Sequence, residues 1–396
     1  MNFVFISPHF PENYWNFCDR LHRNGVNVLG IGDAAYETLP AALRSALTEY
    51  YRVENMENYD EMLRAMGYFT FQYGKIDWVE SNNEYWLEQD ARLRSDFNIT
   101  TGLKAAEIER YKSKLAMKGY YAKAGVPTAR WHLADTLPRA LAFAAEVGWP
   151  LVAKPDKGVG AGGTCKLHNE QELAAFFAAP RAQAYLLEEF VDGEVVTYDG
   201  VAGPDAKAVY AASHVTPDSI MDIVNDHIPM WYYVSPSISP ALRRAGEATL
   251  RAFAAKNRFF HCEFFRMKTA KPGLGEAGDI LGLEVNMRPA GGYTVDMLNF
   301  AGGLDLYQIW ADVVAFGAPR HPLAAFQRYC CCTSRRDGID YLYAHDAILQ
   351  GYAENLQMAP RLPKVLSAMG DQLYIACFDD ARQMQNFRLM VQALRK

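Results

Sequence analysis

The stretch "LGLEVNMRP", Leu281 to Pro289, sets Glu284, Asn286 and Arg288 at alternate positions of an apolar run. Side chains alternate faces along a strand. A strand here therefore aims a carboxylate, an amide oxygen and a guanidinium at one surface. Upstream, "FFHCEFFRM" holds Glu263 between aromatic residues. Two strands that each present an inward carboxylate call for a cation between them. At ~4 Å two negative charges repel by roughly 4 kcal/mol at an effective dielectric near 20. Oxygen-only ligands select a hard ion such as Mg²⁺. The competing reading is an edge strand whose polar face is solvated.

A second set of residues suits phosphate. "AKPDKGVGAGGTCKL" contains Gly158, Gly160, Gly162 and Gly163 beside Lys154 and Lys157. Glycines let backbone amides approach phosphate oxygens. The letters Gly158-x-Gly160-x-x-Gly163 match the dinucleotide fingerprint, but that motif opens a helix, whereas this loop runs into the strand-like "TCKL". No GKS or GKT follows, so it is not a P-loop either. A glycine-rich hairpin entered from a strand carrying Lys154 suits a flap over a triphosphate; the bland alternative is a hairpin with no ligand. Next comes "LLEEFVDGE". Its Glu194, after the turn at Asp192–Gly193, is placed for ribose hydroxyls, or else simply ends a surface strand.

The elements that must position these groups fall into three stretches. Residues 1–105 alternate strand and helix signals: "NFVFIS", a helix around Tyr14–Asn24, "VNVLGIG", "EYYRV", a helix around Tyr59–Tyr73, and "IDWVES". That alternation indicates a parallel α/β unit. The turn Ser7–Pro11, with His9, lies at the carboxyl end of its first strand, where open parallel sheets bind ligands. A lone loop histidine is more often structural. Residues 106–126 read as helix, ended by Gly125 and Pro127. A helix at about Leu137–Val147, the strands "WPLVAKP", "AYLLEEFV" and "GEVVTYDGVAG", and helices at 240–257 and 303–316 follow. The tail, 320–396, reads as strands near 327–334 and 372–378 and a final helix at 380–394. No internal repeat or low-complexity segment is present.

Composition narrows the field. The chain has 396 residues, half of them hydrophobic and 22% charged, enough for two or three domains with proper cores. A net charge of −6 argues against a surface dominated by nucleic-acid binding. "MNFVFISPHF" lacks a basic n-region and reads as a first strand, not a signal peptide. No apolar stretch approaches the ~20 residues of a membrane span. Seven cysteines without a CxxC pair, and no export signal, imply reduced thiols in a cytoplasm. The consecutive Cys330, Cys331 and Cys332 read as small strand residues.

In order, these pieces resemble ATP-grasp ligases, and among them the carboxylate–amine ligase branch that includes L-amino acid ligases and carbamoyl phosphate synthase large chains. The likeness covers roughly residues 106–320. "YKSKLAMKGYYAKAGVPT" is similar to the segment where a lysine precedes a helix and a Gly-Val-Pro turn. The matching lysine is Lys114, although Ser113 stands where the family often has Asp or Asn, so Lys112 competes. "LVAKPDKGVGAGG" resembles the second ATP lysine, Lys154, with its phosphate flap. "LLEEFVDGE" resembles the adenine hinge. There the family would have Glu188 take the adenine amino group, the backbone of Glu189 and Val191 pair with the ring, and Glu194 bind ribose. Glu263, Glu284 and Asn286 fall on its metal ligands. Arg288, with Gly291 and Gly292 behind it, falls where it holds the carboxylate or acyl phosphate.

The resemblance implies a mixed α/β and α+β architecture: an N-terminal parallel α/β domain (1–105), a two-subdomain ATP clamp (106–320, lid about 127–187) and a small C-terminal α+β domain (321–396). It implies ATP with Mg²⁺, or Mn²⁺, and an ADP-forming ligase that activates a small carboxylate as an acyl phosphate and joins it to an amine. Lys154 and Arg288 would act in catalysis. The partners are small molecules, without nucleic acid or membrane, and a homodimer is compatible. The alternatives are a non-amine acceptor and a non-catalytic nucleotide-binding regulator. The acid and amine are not readable. The aromatic segment His214–Ile238, with Asp226 and His227, reads as a pocket wall; equally, its "PMWYYV" reads as a strand buried on both faces.

Overall fold

A computed structural model describes residues 1–158, 162–218, 228–323 and 327–395. Gly160, Asp226 and His227 lie outside these residues.

The first two strands are almost wholly apolar, as strands buried on both faces must be. β1 (Asn2–Ile6), β2 (Asn27–Gly32), β3 (Glu49–Arg52) and β4 (Trp78–Glu80) form a parallel sheet in the order β3-β2-β1-β4. The carboxyl ends of β1 and β4 lie side by side. Ser7 leaves β1 with φ 56°, and Asn82 leaves β4 with φ 52°.

A small antiparallel sheet follows: β5 (Trp131–Leu133), β6 (Leu151–Pro155), β7 (Cys165–Leu167) and β8 (Tyr185–Glu189), in the order β5-β8-β6-β7. β6 and β7, the strands on either side of the glycine-rich stretch, pair directly and antiparallel. The helices Leu137–Val147 and Glu170–Ala178 bury Phe143, Ala144 and Leu173 on this sheet.

The largest sheet has eight strands: β9 (Gly193–Ala202), β10 (Ala208–Thr216), β11 (Trp231–Ser235), β12 (Arg258–Met267), β13 (Ile280–Asn286), β14 (Tyr329–Arg335), β15 (Leu356–Met358) and β16 (Gln372–Phe378). Their order is β13-β12-β9-β10-β11-β14-β16-β15. "PMWYYV" therefore supplies an interior strand, β11, between β10 and β14. The tail's strands extend this sheet through the β11–β14 pairing, with Cys330, Cys331 and Cys332 buried in β14. The sequence pattern did not reveal the helix His345–Gly351 or β15, which are short and half-polar. The helices Thr294–Gly302 and Leu306–Phe316 lie between the first and largest sheets. Trp310 there meets Phe3, Phe17 and Phe259 in one continuous core.

Candidate active site

The helix Lys114–Ala124 begins at Ser113, whose hydroxyl accepts from the Ala116 amide, and ends at Gly125 with φ 68°. Serine thus provides the N-cap where the resembling family often has Asp or Asn. Asp156, just past β6, pins the same helix end. Its carboxylate accepts from Ser113 Oγ at 2.8 Å and from the Leu115 amide at 2.9 Å, and its carbonyl accepts from the Lys114 amide at 3.0 Å. The helix lies on β13 at Gly282, where a Cβ would stand 2.5 Å from the Tyr121 ring. A larger residue there would lift Lys114 away.

A cavity of about 490 Å³ lies between the small and large sheets. This is within the ~300–1,000 Å³ of ligand pockets. Lys114, Lys154, Glu188, Glu189 and Val191 line it, together with Glu263, Glu284, Asn286 and Arg288. The strand alternation read from the sequence holds. β12 and β13 pair antiparallel, with Glu263 opposite Glu284 and His261 opposite Asn286. Lys114 Nζ lies 3.1 Å from Glu284 Oε1 and so occupies part of the place of a cation. Lys112 instead donates to the Glu84 carboxylate at 2.8 Å and lies outside the lining.

The two opposed carboxylates sit in different electrostatic surroundings. Burial opposes the charge of Glu263, but the hydrogen bond and charge of His261 prevail and lower its pKa. Glu284 is raised, mainly by burial; Lys114 draws it back in part and the Glu263 charge adds to the rise. An oxygen-only donor set of two carboxylates and an amide, with one carboxylate short of compensating charge, fits a hard divalent cation.

Behind Glu263 lies a polar chain that sequence reading missed. His261 Nε2 is 2.9 Å from Glu263 Oε1, and its Nδ1 is 2.7 Å from Asp199 Oδ1. Asp199 Oδ2 lies 2.7 Å from His214 Nδ1 and accepts a short hydrogen bond from Thr197. All are buried. Asp199, His214 and His261 are close enough to share an ion. They already satisfy one another, however, with one ring nitrogen on each carboxylate oxygen. Burial works against an imidazolium, but Asp199 and Glu263 outweigh it and raise His261 to about 9. Asp199 is held well below the usual carboxylate range: burial opposes the charge, and His214 and His261 overcome it. The signal was present in the chain, since His261 stands two residues before Glu263 on the same strand face.

Other expected residues fall elsewhere. Lys157 reaches outward to Glu109 at 2.6 Å and Glu88 at 3.0 Å, away from the lining, because two carboxylates draw it there. Gly158, Gly162 and Gly163 stay outside the lining, and the loop contributes Thr164 instead. Glu194 is taken by Arg266 at 2.6 Å and lies outside the lining. Gly291 and Gly292 also lie outside it. Gly291 accepts from Thr294 Oγ1 at 2.8 Å, and Gly292, with φ 63°, faces Met369. His9 pairs with Asp33 at 3.2 Å. The Glu189 side chain is clamped by Arg130 at 2.7 Å and Lys271 at 3.1 Å, and its amide donates to Arg130 O at 3.0 Å, so of its polar groups the carbonyl is the one that could meet a ligand.

Glu188 departs most from the role that the resemblance gives it. One oxygen contacts Lys154 Nζ at 2.5 Å and the other contacts Lys118. Burial opposes its charge, yet Lys154 and Lys118 hold its pKa down at about 2. Lys118, one helical turn beyond Lys114, is buried and was not singled out from the sequence. Arg288 bonds Pro289 O at 2.7 Å and Asn286 Oδ1 at 3.4 Å; its ion-pair partner is Glu84 from the loop after β4, at 3.4 Å, not Glu263 or Glu284.

The architecture matches solved structures along nearly its whole length. An L-amino acid ligase from Bacillus licheniformis superposes with a TM-score of 0.72 at 15% identity, covering 98% of this chain and 95% of that one. The chain has the ATP-grasp fold. Another ATP-grasp neighbour is the biotin carboxylase domain of a Hydrogenobacter thermophilus 2-oxoglutarate carboxylase. That structure holds MgADP, and its TM-score is 0.65 at 16% identity over 99% of this chain and 90% of that one. In sequence, the alanine–anticapsin ligase of Bacillus subtilis is 24% identical over 283 residues. That match takes 65% of this ATP-grasp chain and 57% of its relative, so the chain spans little more than half the relative's length. No protein-family model matches. Among the described residues no helix is long and apolar enough to cross a membrane.

Proposed function

We propose that the protein is an ADP-forming ligase that activates a small carboxylate as an acyl phosphate and joins it to an amine. The observation that carries this is the convergence of Lys114 and Lys154 with Glu263, Glu284, Asn286 and Arg288 on one cavity. Its relatives' names point the same way, as ligases of amino acids. ATP and the two small molecules are the substrates, and the cytoplasm is the expected compartment.

Glu263, Glu284 and Asn286 would hold Mg²⁺, or Mn²⁺, which when bound neutralises charge on the transferring phosphoryl group. The chain's own work is positioning. Lys154, on the small sheet, supplies a cation to the phosphates. Lys114 balances Glu284 and adds a second. The backbone of Glu189 and Val191 presents the hinge edge to the base. Arg288 offers a planar fork to the acid's carboxylate. No covalent nucleophile is required. The γ-phosphoryl group passes to a carboxylate oxygen and ADP leaves. The amine nitrogen then attacks the acyl carbon, phosphate departs, and the amine gives up a proton.

The test is product release over a panel of acids paired with amines. ADP and phosphate are expected in equal amounts, only with both substrates present. AMP as the stoichiometric product would overturn the reading, and equal turnover with thiol acceptors would move it to another ligase class.

A further inference from the structure

Lys118, Glu188 and Lys154 form a buried cluster with two positive charges and one negative. The two lysines are not equivalent. Lys154 lines the cavity and its side chain is 14% exposed; Lys118 lies outside the lining and is 5% exposed. Lys118 sits on the helix that Ser113 and Asp156 fix at its start, so it is carried by a rigid element. Lys154 is the lysine that faces the space a nucleotide would take.

This asymmetry matters when a polyphosphate arrives. A lysine that turns to phosphate must loosen its hold on its carboxylate. A buried carboxylate left alone is costly. With Lys118 on its second oxygen, Glu188 is not left alone. Lys118 is thus the reason that Lys154 can be shared between a protein carboxylate and a ligand.

We propose that Lys118 is a positioning residue for nucleotide binding: it stays with Glu188 as a permanent counter-ion and so frees Lys154 for the phosphates. This rests on the ATP-site reading above. Glu188 then serves mainly to hold the two lysines, and base selection falls to the hinge backbone. The resembling family's motif, as it maps onto this chain, uses Lys114 and Lys154 and has no place for Lys118.

The experiment is equilibrium binding of ATP by calorimetry on the full chain, with thermal melting as a check on folding. Lys118→Met leaves Glu188 with Lys154 as its one partner and traps it. ATP binding should weaken by at least about tenfold. Lys118→Arg, which keeps the charge, should bind within about threefold of wild type. The double variant Lys118→Met/Glu188→Gln loses one charge of each sign and releases Lys154. It should recover most of the lost affinity, a non-additivity that a merely structural Lys118 would not produce. A folded Lys118→Met that binds ATP like wild type overturns the proposal. So does a folded double variant no better than Lys118→Met. If Lys118→Met does not fold, the comparison of Lys118→Arg and the double variant with wild type decides, and a weak double variant counts against it. Wild-type protein that fails to bind ATP overturns the nucleotide reading itself.

Discussion

The two ends of the cavity are built on different principles. At one end Glu263, Glu284 and Asn286 project from paired strands, and Glu263 is braced from behind by His261, Asp199 and His214. Its brace is made of short, stiff groups: the His261 ring on the same strand, then Asp199 and the His214 ring on the next two strands. At the other end Glu188 is matched by Lys118 and Lys154, whose charges ride on long stems. Glu188 is buried and Glu263 half-buried, and both are kept ionised. The first arrangement fixes a donor in place before anything binds. The second keeps a cation in reserve, ready to change partners. Rigid rings suit an ion that demands geometry, and flexible ammonium groups suit phosphates that arrive and leave.

Breaking the rigid end should have the largest effect. On the proposed reading Glu284→Ala would remove a metal donor beside the transferring phosphate, and turnover should fall by more than about 10³-fold. The fold should survive, because burial already disfavours this carboxylate's charge. Acid-dependent ADP release over a Mg²⁺ titration, with a melting curve, checks this; wild-type rates at any Mg²⁺ level would end the metal-site reading.

At the flexible end, Lys154→Met keeps most of the length and loses the charge. Phosphoryl transfer should slow by about 10²-fold, with a raised ATP requirement. Unchanged single-turnover rates would return Lys154 to an ordinary lysine. The brace is tested by Asp199→Asn, which keeps the shape and removes the charge behind His261. The Mg²⁺ requirement should rise by roughly 10- to 100-fold, as for other outer-sphere changes. Metal-free nucleotide binding should stay as it was; a Mg²⁺ titration identical to wild type would show that the brace does nothing.

Arg288→Lys keeps the charge and loses the fork, so use of the acid should suffer by about tenfold with ATP affinity nearly kept. Equal losses of both would make Arg288 a structural partner of Glu84 instead. The smallest effect is on stability against pH. The His261 pKa is raised from 6.5 to about 9, so its contribution is complete below pH 6.5 and is lost as pH rises through 9. The loss is at most about 3 kcal/mol. Denaturant midpoints of wild type and His261→Gln should differ most at pH 6 and converge near pH 10; parallel curves would contradict this.

Local pattern made much of this legible. Alternate polar residues in an apolar run located Glu284 and Asn286, because the pleat has a period of two. The glycine after Ala124 marked the end of a helix, because a left-handed turn is local chemistry; that Ser113 breaks the run and starts a new helix was not read. The strand running out of the glycine loop excluded a dinucleotide site, since such sites open a helix. These features depend on a few neighbouring residues, and the chain states them directly.

Partnership across elements was not legible in that way. Lys157 looked like a phosphate ligand and turned outward to Glu88 and Glu109. Glu194 looked free and was taken by Arg266. Glu84 lies 204 residues before the arginine it meets. Asp199 and His214 come from strands whose pairing sets them against His261. Lys118 stood at helical spacing from Lys114, but its importance appears only where the small sheet brings Glu188 against it. Residue types and their periodicity follow from the sequence alone. Which charges are buried together follows from how the sheets and helices pack, because electrostatic partnership depends on distance and burial in three dimensions and not on separation along the chain.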